Sequence, residues 1–384
     1  MNASSQHTTA SDLNDRWDVI IIGAGPAGAL TANLLGRSDL RVLLVDAKPL
    51  PRAKVCGGCL NARSIELLEH HELSAVLDQS FATPLKTIQL VGTAGHFDWP
   101  LPQNLVINRA DFDAALVNAA IEAGVTFQPR TLATVLPEAD PGSRTVRLQY
   151  GGDISEVFGR VVICADGLGQ SSLRQLSEFS TKVMPSSRIG LGVVVRDDSE
   201  HYPSGRLSMV VSPTGYVGLA RTADGRLNIA AAVDAETLAS SSPSAVTADI
   251  LAHCGMPRLA GIESVQWQGT PTLTRSSRRV AANRLLVLGD SAGYVEPFTG
   301  EGMSWAMHSA ILLAPIARRG IDRWSDALES EWNLTLKTKV VRNQWTCRLI
   351  SKILRSPRWT GLTLQAVHKV PFLRRRVMSR LAGR

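Results

Sequence analysis

The stretch WDVIIIGAGPAG, residues 17–28, constrains this chain more than any other. Trp17–Ile22 is a short apolar run rich in β-branched residues, the pattern of a parallel strand buried on both faces. It runs into Gly23, Gly25 and Gly28 in the spacing G-x-G-x-x-G, and a helical segment follows. The first glycine permits a tight turn, the second lets a pyrophosphate reach the backbone, and the third lets helix and strand pack closely. A second strand, RVLLVDA, ends at Asp46, where a carboxylate can accept both hydroxyls of an adenosine ribose. Glycines alone are weak evidence of a nucleotide site; strand, glycines, helix, strand and acid in this order are strong evidence. The spacing therefore predicts an α/β protein with a Rossmann-like domain. Gly23, Ala24, Gly25, Ala27, Gly28, Asp46 and Ala47 are its candidate dinucleotide contacts.

Two distant segments point to FAD rather than NAD. RVVICADGLGQSSLR (160–174) is another apolar strand, closed by Asp166 and Gly167. NRLLVLGDSAGYVEPFTGEGMSWAMHSA (283–310) is a strand closed by Gly289 and Asp290, then a Pro/Gly loop, then a helix opening around Gly300, Glu301, Gly302 and Met303. An acid beside a glycine at a strand end can accept a ribityl hydroxyl. A helix N-terminus can turn its N–H groups and positive dipole end toward the N1/O2 edge of a reduced, anionic flavin. NAD alone does not need that third element.

On these residues the chain resembles the FAD-dependent oxidoreductases of the p-hydroxybenzoate hydroxylase fold, and within them the geranylgeranyl reductase-like branch. The resemblance spans about residues 17–310 and rests on GAGPAG with Asp46, ADG at 165–167, GDSAGYVEPFTGEGM at 289–303 and INRADFDAAL. Such proteins place a flavin-contacting arginine before a helix like the last of these, which implies that role for Arg109. The expected architecture is a discontinuous FAD-binding domain (17–80, 105–180 and 275–318) with an inserted antiparallel-sheet substrate domain (81–104 and 181–274). Strand-like runs such as LKTIQLVG, LSMVV, GYVGLA and LNIAAAV, punctuated by Pro213-Thr214-Gly215 and Asp224-Gly225, give the inserted sheet. A disordered leader (1–16) and a basic helical C-terminal region (319–384) complete the expectation.

The net charge of +7 is unevenly placed. Lys337–Arg384 holds 13 Lys and Arg and no acid, so the other 28 of the 41 basic residues stand against 34 acids, a net of −6. With no recognition motif beside the charge, nucleic acid is a poor partner. The tail reads as helices packed on the FAD domain or as a peripheral contact with an anionic membrane. No apolar run approaches the roughly 18 residues of a membrane span. The start lacks the basic and apolar regions of a signal peptide, and five cysteines do not form an even disulfide framework. A cytoplasmic protein is expected; its oligomeric state is not legible.

In PRAKVCGGCLN (51–61), Cys56 and Cys59 surround Gly57 and Gly58. The spacing alone leaves open half of a zinc site, a redox dithiol, or small residues in a turn. Zinc lacks further ligands at usable spacing, and no thioredoxin-like context surrounds the pair, so no metal is expected. The resemblance implies a fourth reading, a loop near the substrate face of the flavin. There Gly57 and Gly58 approach the ring and Cys56 borders the substrate cavity, with Tyr216 and Pro297 as further candidates for that cavity.

The flavin carries the chemistry, and no catalytic triad is expected. Hydroxylation of a lipophilic aromatic or polyketide-like small molecule through a flavin hydroperoxide is the favoured expectation. Reduction of a carbon–carbon double bond, as in geranylgeranyl reductases, is the alternative, and a non-catalytic lipid or prenyl carrier is another. Flavin halogenases carry a W-x-W-x-I-P segment that is absent here. Prenyl reductases often carry Y-x-W-x-F-P; GYVGLAR keeps Tyr216 but has Gly218 and Ala220 where bulk would stand, which predicts a differently shaped cavity. With one G-x-G-x-x-G only, NAD(P)H has no Rossmann domain of its own; it binds transiently, or a partner reductase delivers the electrons.

Overall fold

A computed structural model describes residues 16–349 apart from 94, 138–139, 299 and 346. Most of the expected leader and the basic segment 350–384 lie outside the described residues. Strand formation begins at Arg16, one residue inside the expected leader.

The first sheet is built on a parallel core in the spatial order Leu285–Val287, Asp153–Cys164, Arg16–Ile22, Val42–Val45, Thr126–Gln128. The strand order reverses around Arg16–Ile22, because the second strand lies on one side of it and the later ones on the other. Such a reversal opens a crevice at the carboxyl ends of the strands. Ile20, Ile21, Leu43, Leu44, Val162 and Ile163 are fully buried, as strands covered on both faces require. Helix α1 (Pro26–Gly36) follows the first strand, starting with Pro26 in the first turn, where the missing N–H costs nothing. Helices α2 (Ala62–His70), α3 (Arg109–Glu122) and α4 (Gly302–Asp322) complete this unit. Helix α5 (Asp326–Thr335) closes its far edge: Trp332 is fully buried and its Nε1–H donates to the Val287 carbonyl at 2.9 Å.

The second sheet runs Gln268–Thr272, Ile189–Arg196, Arg226–Val233, Gly215–Arg221, Arg206–Ser212, Thr83–Gly92, Gly95–Val106, Cys59–Leu60. Every pairing is antiparallel except that of Arg206–Ser212 with Thr83–Gly92. Cys59–Leu60, from the cysteine loop, belongs to this sheet rather than the first. Side chains alternate across it with period two. Val210, Val217 and Leu219 pack with Val246, Ile250 and Leu251 of the helix Pro243–His253. Leu207, Met209, Val211, Tyr216 and Ala220 point the other way, into a cluster with Cys59, Trp99 and Phe298. That second face meets the loops at the strand ends of the first sheet.

Candidate functional site

The motifs converge because the parallel strands end level. Ile22 pairs with Val45 and with Cys164, and Val287 pairs with Cys164. The turns that follow, at Gly23, Asp46, Asp166 and Gly289-Asp290, therefore stand side by side. Gly23 has φ +104°, and a Cβ there would lie 2.4 Å from the Ala165 carbonyl oxygen. A Cβ on Gly28 would lie 1.8 Å from the Gly23 oxygen, so strand and helix can approach only with glycine at that position. Gly25 differs, since a Cβ there meets no atom within 4 Å. It caps α1 without a side-chain bond, so the helix N-terminus opens onto free space of the kind a pyrophosphate fills. Ala27 packs against the fourth motif, 2.9 Å from where a Cβ on Gly289 would stand, and Ala24 is fully buried behind the turn.

The acids divide into different roles. Asp46 is buried; its Oδ2 accepts the Ala24 N–H at 2.7 Å, and its Oδ1 accepts the Lys48 N–H at 2.9 Å and a bond from Arg52. A ribose hydroxyl there has to share this carboxylate with Arg52, while Ala47 lies exposed beside it. Asp166 is turned inward: it accepts the Ser172 N–H at 2.8 Å and the Ser291 hydroxyl at 3.1 Å. Ser291 also donates to the Gly167 carbonyl at 3.0 Å, so Asp166 and Gly167 tie the third motif to the fourth. The Asp290 carboxylate accepts no hydrogen bond among the described residues. Burial raises its pKa, while Lys54 and Arg109 act to lower it. Of the two acids read as ribityl acceptors, Asp290 is the one with its carboxylate to spare.

Arg109 opens α3 and donates to Asp113 through Nε at 3.0 Å and Nη2 at 2.9 Å. Burial works against its charge, but the Asp113 carboxylate and then the Cys56 sulfur outweigh this and hold its pKa above the ordinary value. Cys56 is thus at the Arg109–Asp290 cluster, in a loop fixed from the second sheet: Asn228 Nδ2 donates to the Cys56 carbonyl at 3.0 Å. Gly58 has φ +68°, and its Cβ would lie 2.5 Å from the Ile107 oxygen, whereas a Cβ on Gly57 meets nothing within 4 Å. All five cysteines are free thiols. Burial, with a further push from Cys56, raises the Cys59 thiol to about 12, so it is a poor nucleophile at neutral pH. Among the described residues no group of three His, Cys, Asp or Glu side chains can hold a metal. Gly58→Ala should therefore cost folded protein, while Cys59→Ser should leave flavin content and turnover within a few-fold of the parent. Abolished turnover in Cys59→Ser with flavin retained would instead mark a redox pair.

The loop before α4 closes against this one. Gly300 (φ +76°) leaves 2.7 Å between its absent Cβ and the Cβ of Cys59, and a Cβ on Gly302 would stand 3.4 Å from the Tyr294 ring. Glu301 caps α4, and its Oε2 accepts the Cys347 thiol at 2.6 Å; Met303 is buried in the first core. Pro297 is half-buried beside Phe298, which meets Tyr216 edge to face at 5.1 Å. At Gly218, where bulk is missing from the sequence, a Cβ would come 3.0 Å from Met209 Sδ, so the methionine occupies that space. Ala220 is likewise buried in the cluster. The sequence reading missed Tyr294, Lys54, Asn228 and the fully buried Arg188, which pairs with Asp234 at 3.0 Å and Glu296 at 3.4 Å. Tyr294 stands inside a quoted motif and was legible there; Arg188 and Asn228 carry no local signal.

An FAD binding domain family model matches residues 16–316. The chain belongs to this FAD-binding family. Its coarse class is FAD-dependent oxidoreductase, on the p-hydroxybenzoate hydroxylase-like fold expected from the sequence. Digeranylgeranylglycerophospholipid reductase 1 of Methanococcoides burtonii is 24% identical over 348 residues, covering 86% of this chain and 83% of that protein. Two solved structures share the fold. A flavin-dependent brominase aligns with TM-score 0.79 at 18% identity, covering 96% of this chain and 94% of that one. A geranylgeranyl bacteriochlorophyll reductase-like protein of Thermoplasma acidophilum aligns with TM-score 0.71 at 17% identity, covering 89% and 88%. The free space at Gly25 and Gly57 and the available Asp290 carboxylate fit the family's cofactor. Gly23–Gly28 and Asp46 would hold its adenosine diphosphate half. Arg109, Asp290 and Gly300–Met303 would hold its flavin half.

Proposed function

We propose that the chain is an FAD-dependent reductase of carbon–carbon double bonds in a lipophilic small molecule. The observation that carries this reading is the phenol of Tyr294 beside Asp290, Cys56 and Arg109. Burial raises its pKa well above the ordinary value, and Asp290, Cys56 and Glu296 add to the shift. The hydroxyl therefore keeps its proton at neutral pH. When bound and reduced, FAD supplies a hydride to an activated double bond. Saturation also needs a proton on the neighbouring carbon, and Tyr294 Oη holds one that only a strongly basic centre, such as a developing carbanion, can remove. The apolar face of Met209, Tyr216, Trp99 and Phe298 suits a lipophilic substrate. The curated phospholipid reductases support reduction over the hydroxylation favoured from sequence, as does the filled space at Gly218. The electron donor in this reading is NAD(P)H or a partner reductase, and the setting is the cytoplasm. No described helix is long and apolar enough to cross a membrane.

A second reading, hydroxylation of a phenol, is favoured by Arg188. Its Nη2 is buried with no hydrogen-bond acceptor among the described residues, and its guanidinium lies 5.7 Å from the Tyr216 ring centroid. Such a group can pair with a phenolate oxygen. The two readings separate under anaerobic flavin reduction followed by lipophilic alkenes or by phenols with oxygen. Reoxidation by an alkene without oxygen, yielding the saturated product, is expected, and Tyr294→Phe should slow it by about 10²-fold or more with flavin retained. Oxygen-dependent hydroxylation of a phenol, with no alkene consumed, would replace the first reading by the second.

A further inference from the structure

Helix α4 buries Met303, Met307, Ala310 and Ala314 in the first core and leaves His308 half-buried on another side, with Leu312 partly buried against the same core. There an open groove of about 690 Å³ is lined by Arg63 of α2, His308 and Leu312 of α4, and Lys339, Arg342 and Trp345 beyond α5. Among the described residues no carboxylate lines it. Arg63 Nη2 stands 2.6 Å from His308 Nε2, and because a guanidinium can only donate, the imidazole accepts and is neutral there. Burial, with the charges of Arg63 and Lys339 adding to it, lowers the His308 pKa to about 4. Arg63, Lys339 and Arg342 form no ion pair among the described residues; Lys339 and Arg342 are exposed, whereas Arg63 is half-buried, and at that depth or deeper Arg109, Arg188 and Arg221 each have a carboxylate partner. Three like charges gathered in one concavity repel one another, and an anion seated among them relieves that repulsion.

We propose that this groove binds the phosphate group of a ligand. Its planar forks and point charge suit phosphate oxygens, Arg63 and Arg342 bidentately and Lys339 through its ammonium. The phosphate can come from an anionic phospholipid headgroup or from a soluble phosphate compound. Trp345 is 54% exposed at the groove and Leu349, one turn further on, is 47% exposed; an indole and a leucine beside a headgroup site suit a lipid surface. The site is distinct from the strand-end cleft and does not depend on which reaction occurs there.

The test uses full-length flavin-loaded protein. Binding is measured by calorimetry with inorganic phosphate, and by co-sedimentation with phosphatidylcholine vesicles with or without phosphatidylglycerol. The variant Lys339→Gln/Arg342→Gln removes two exposed, unpaired side chains and should keep fold and flavin content. Lys352→Gln/Arg355→Gln serves as a control for charge in the adjoining segment. Binding should fall about tenfold or more in the groove variant and less in the control. Loss of vesicle binding assigns the lipid source; loss of phosphate binding without any vesicle preference assigns the soluble one. If the parent binds neither probe, or the groove variant binds as tightly as the parent, the proposal is overturned.

Discussion

Gly25→Val is expected to purify folded and colourless. A Cβ at residue 25 meets no atom within 4 Å, so the added side chain is directed into the space at the start of α1 where the pyrophosphate belongs. Gly28→Val is expected to behave in the opposite way. Its Cβ would lie 1.8 Å from the Gly23 oxygen, backbone against backbone, and no rotamer relieves that overlap. Circular dichroism and visible flavin absorbance on the two variants separate a cofactor defect from a folding defect. Full flavin occupancy in Gly25→Val would show that the cofactor does not cross this turn.

Arg109→Leu is expected to lower stability by about 3–5 kcal/mol, because it leaves the carboxylate of Asp113, which is fully buried, without its bidentate partner. The double variant Arg109→Leu/Asp113→Leu removes both charges and should recover much of that loss, since an apolar pair of similar volume often replaces a buried ion pair at little cost. Flavin content should not recover with it, because the cation facing Cys56 and Asp290 is still missing. Urea midpoints with flavin occupancy measured on the same samples read both effects. Recovery of flavin in the double variant would reduce Arg109 to a structural residue.

The four strand ends were legible because each combines a local hydrophobic run with a glycine or acid that the turn requires. Side-chain direction was not. Asp166 and Asp290 look alike in sequence, yet one is consumed by Ser172 and Ser291 while the other faces Lys54 and Arg109. Apart from Ser172, the contacts that separate them lie more than a hundred residues away in sequence, which no local pattern carries. That Met209 fills the space at Gly218 was likewise not legible, because the two stand on different strands of the hairpin. The groove of Arg63, His308 and Arg342 escaped for the same reason: three separate helical segments supply it, and no residue of it carries a local signal.

The chain crosses between its two large sheets repeatedly, leaving the first after Val45 for Cys59–Leu60 and Thr83–Val106, then returning through Thr126–Cys164 before it leaves again. Asn228 of the second sheet also holds the loop that carries Cys56 to Arg109. An interwoven molecule of this kind has no single hinge about which two halves can swing. Thermal unfolding should run as one cooperative transition, and no cut at a single peptide bond should release two independently folding fragments. Exchange of a bound cofactor should then proceed through local parting of the loops around Cys56 and Pro297 rather than through an opening of two halves.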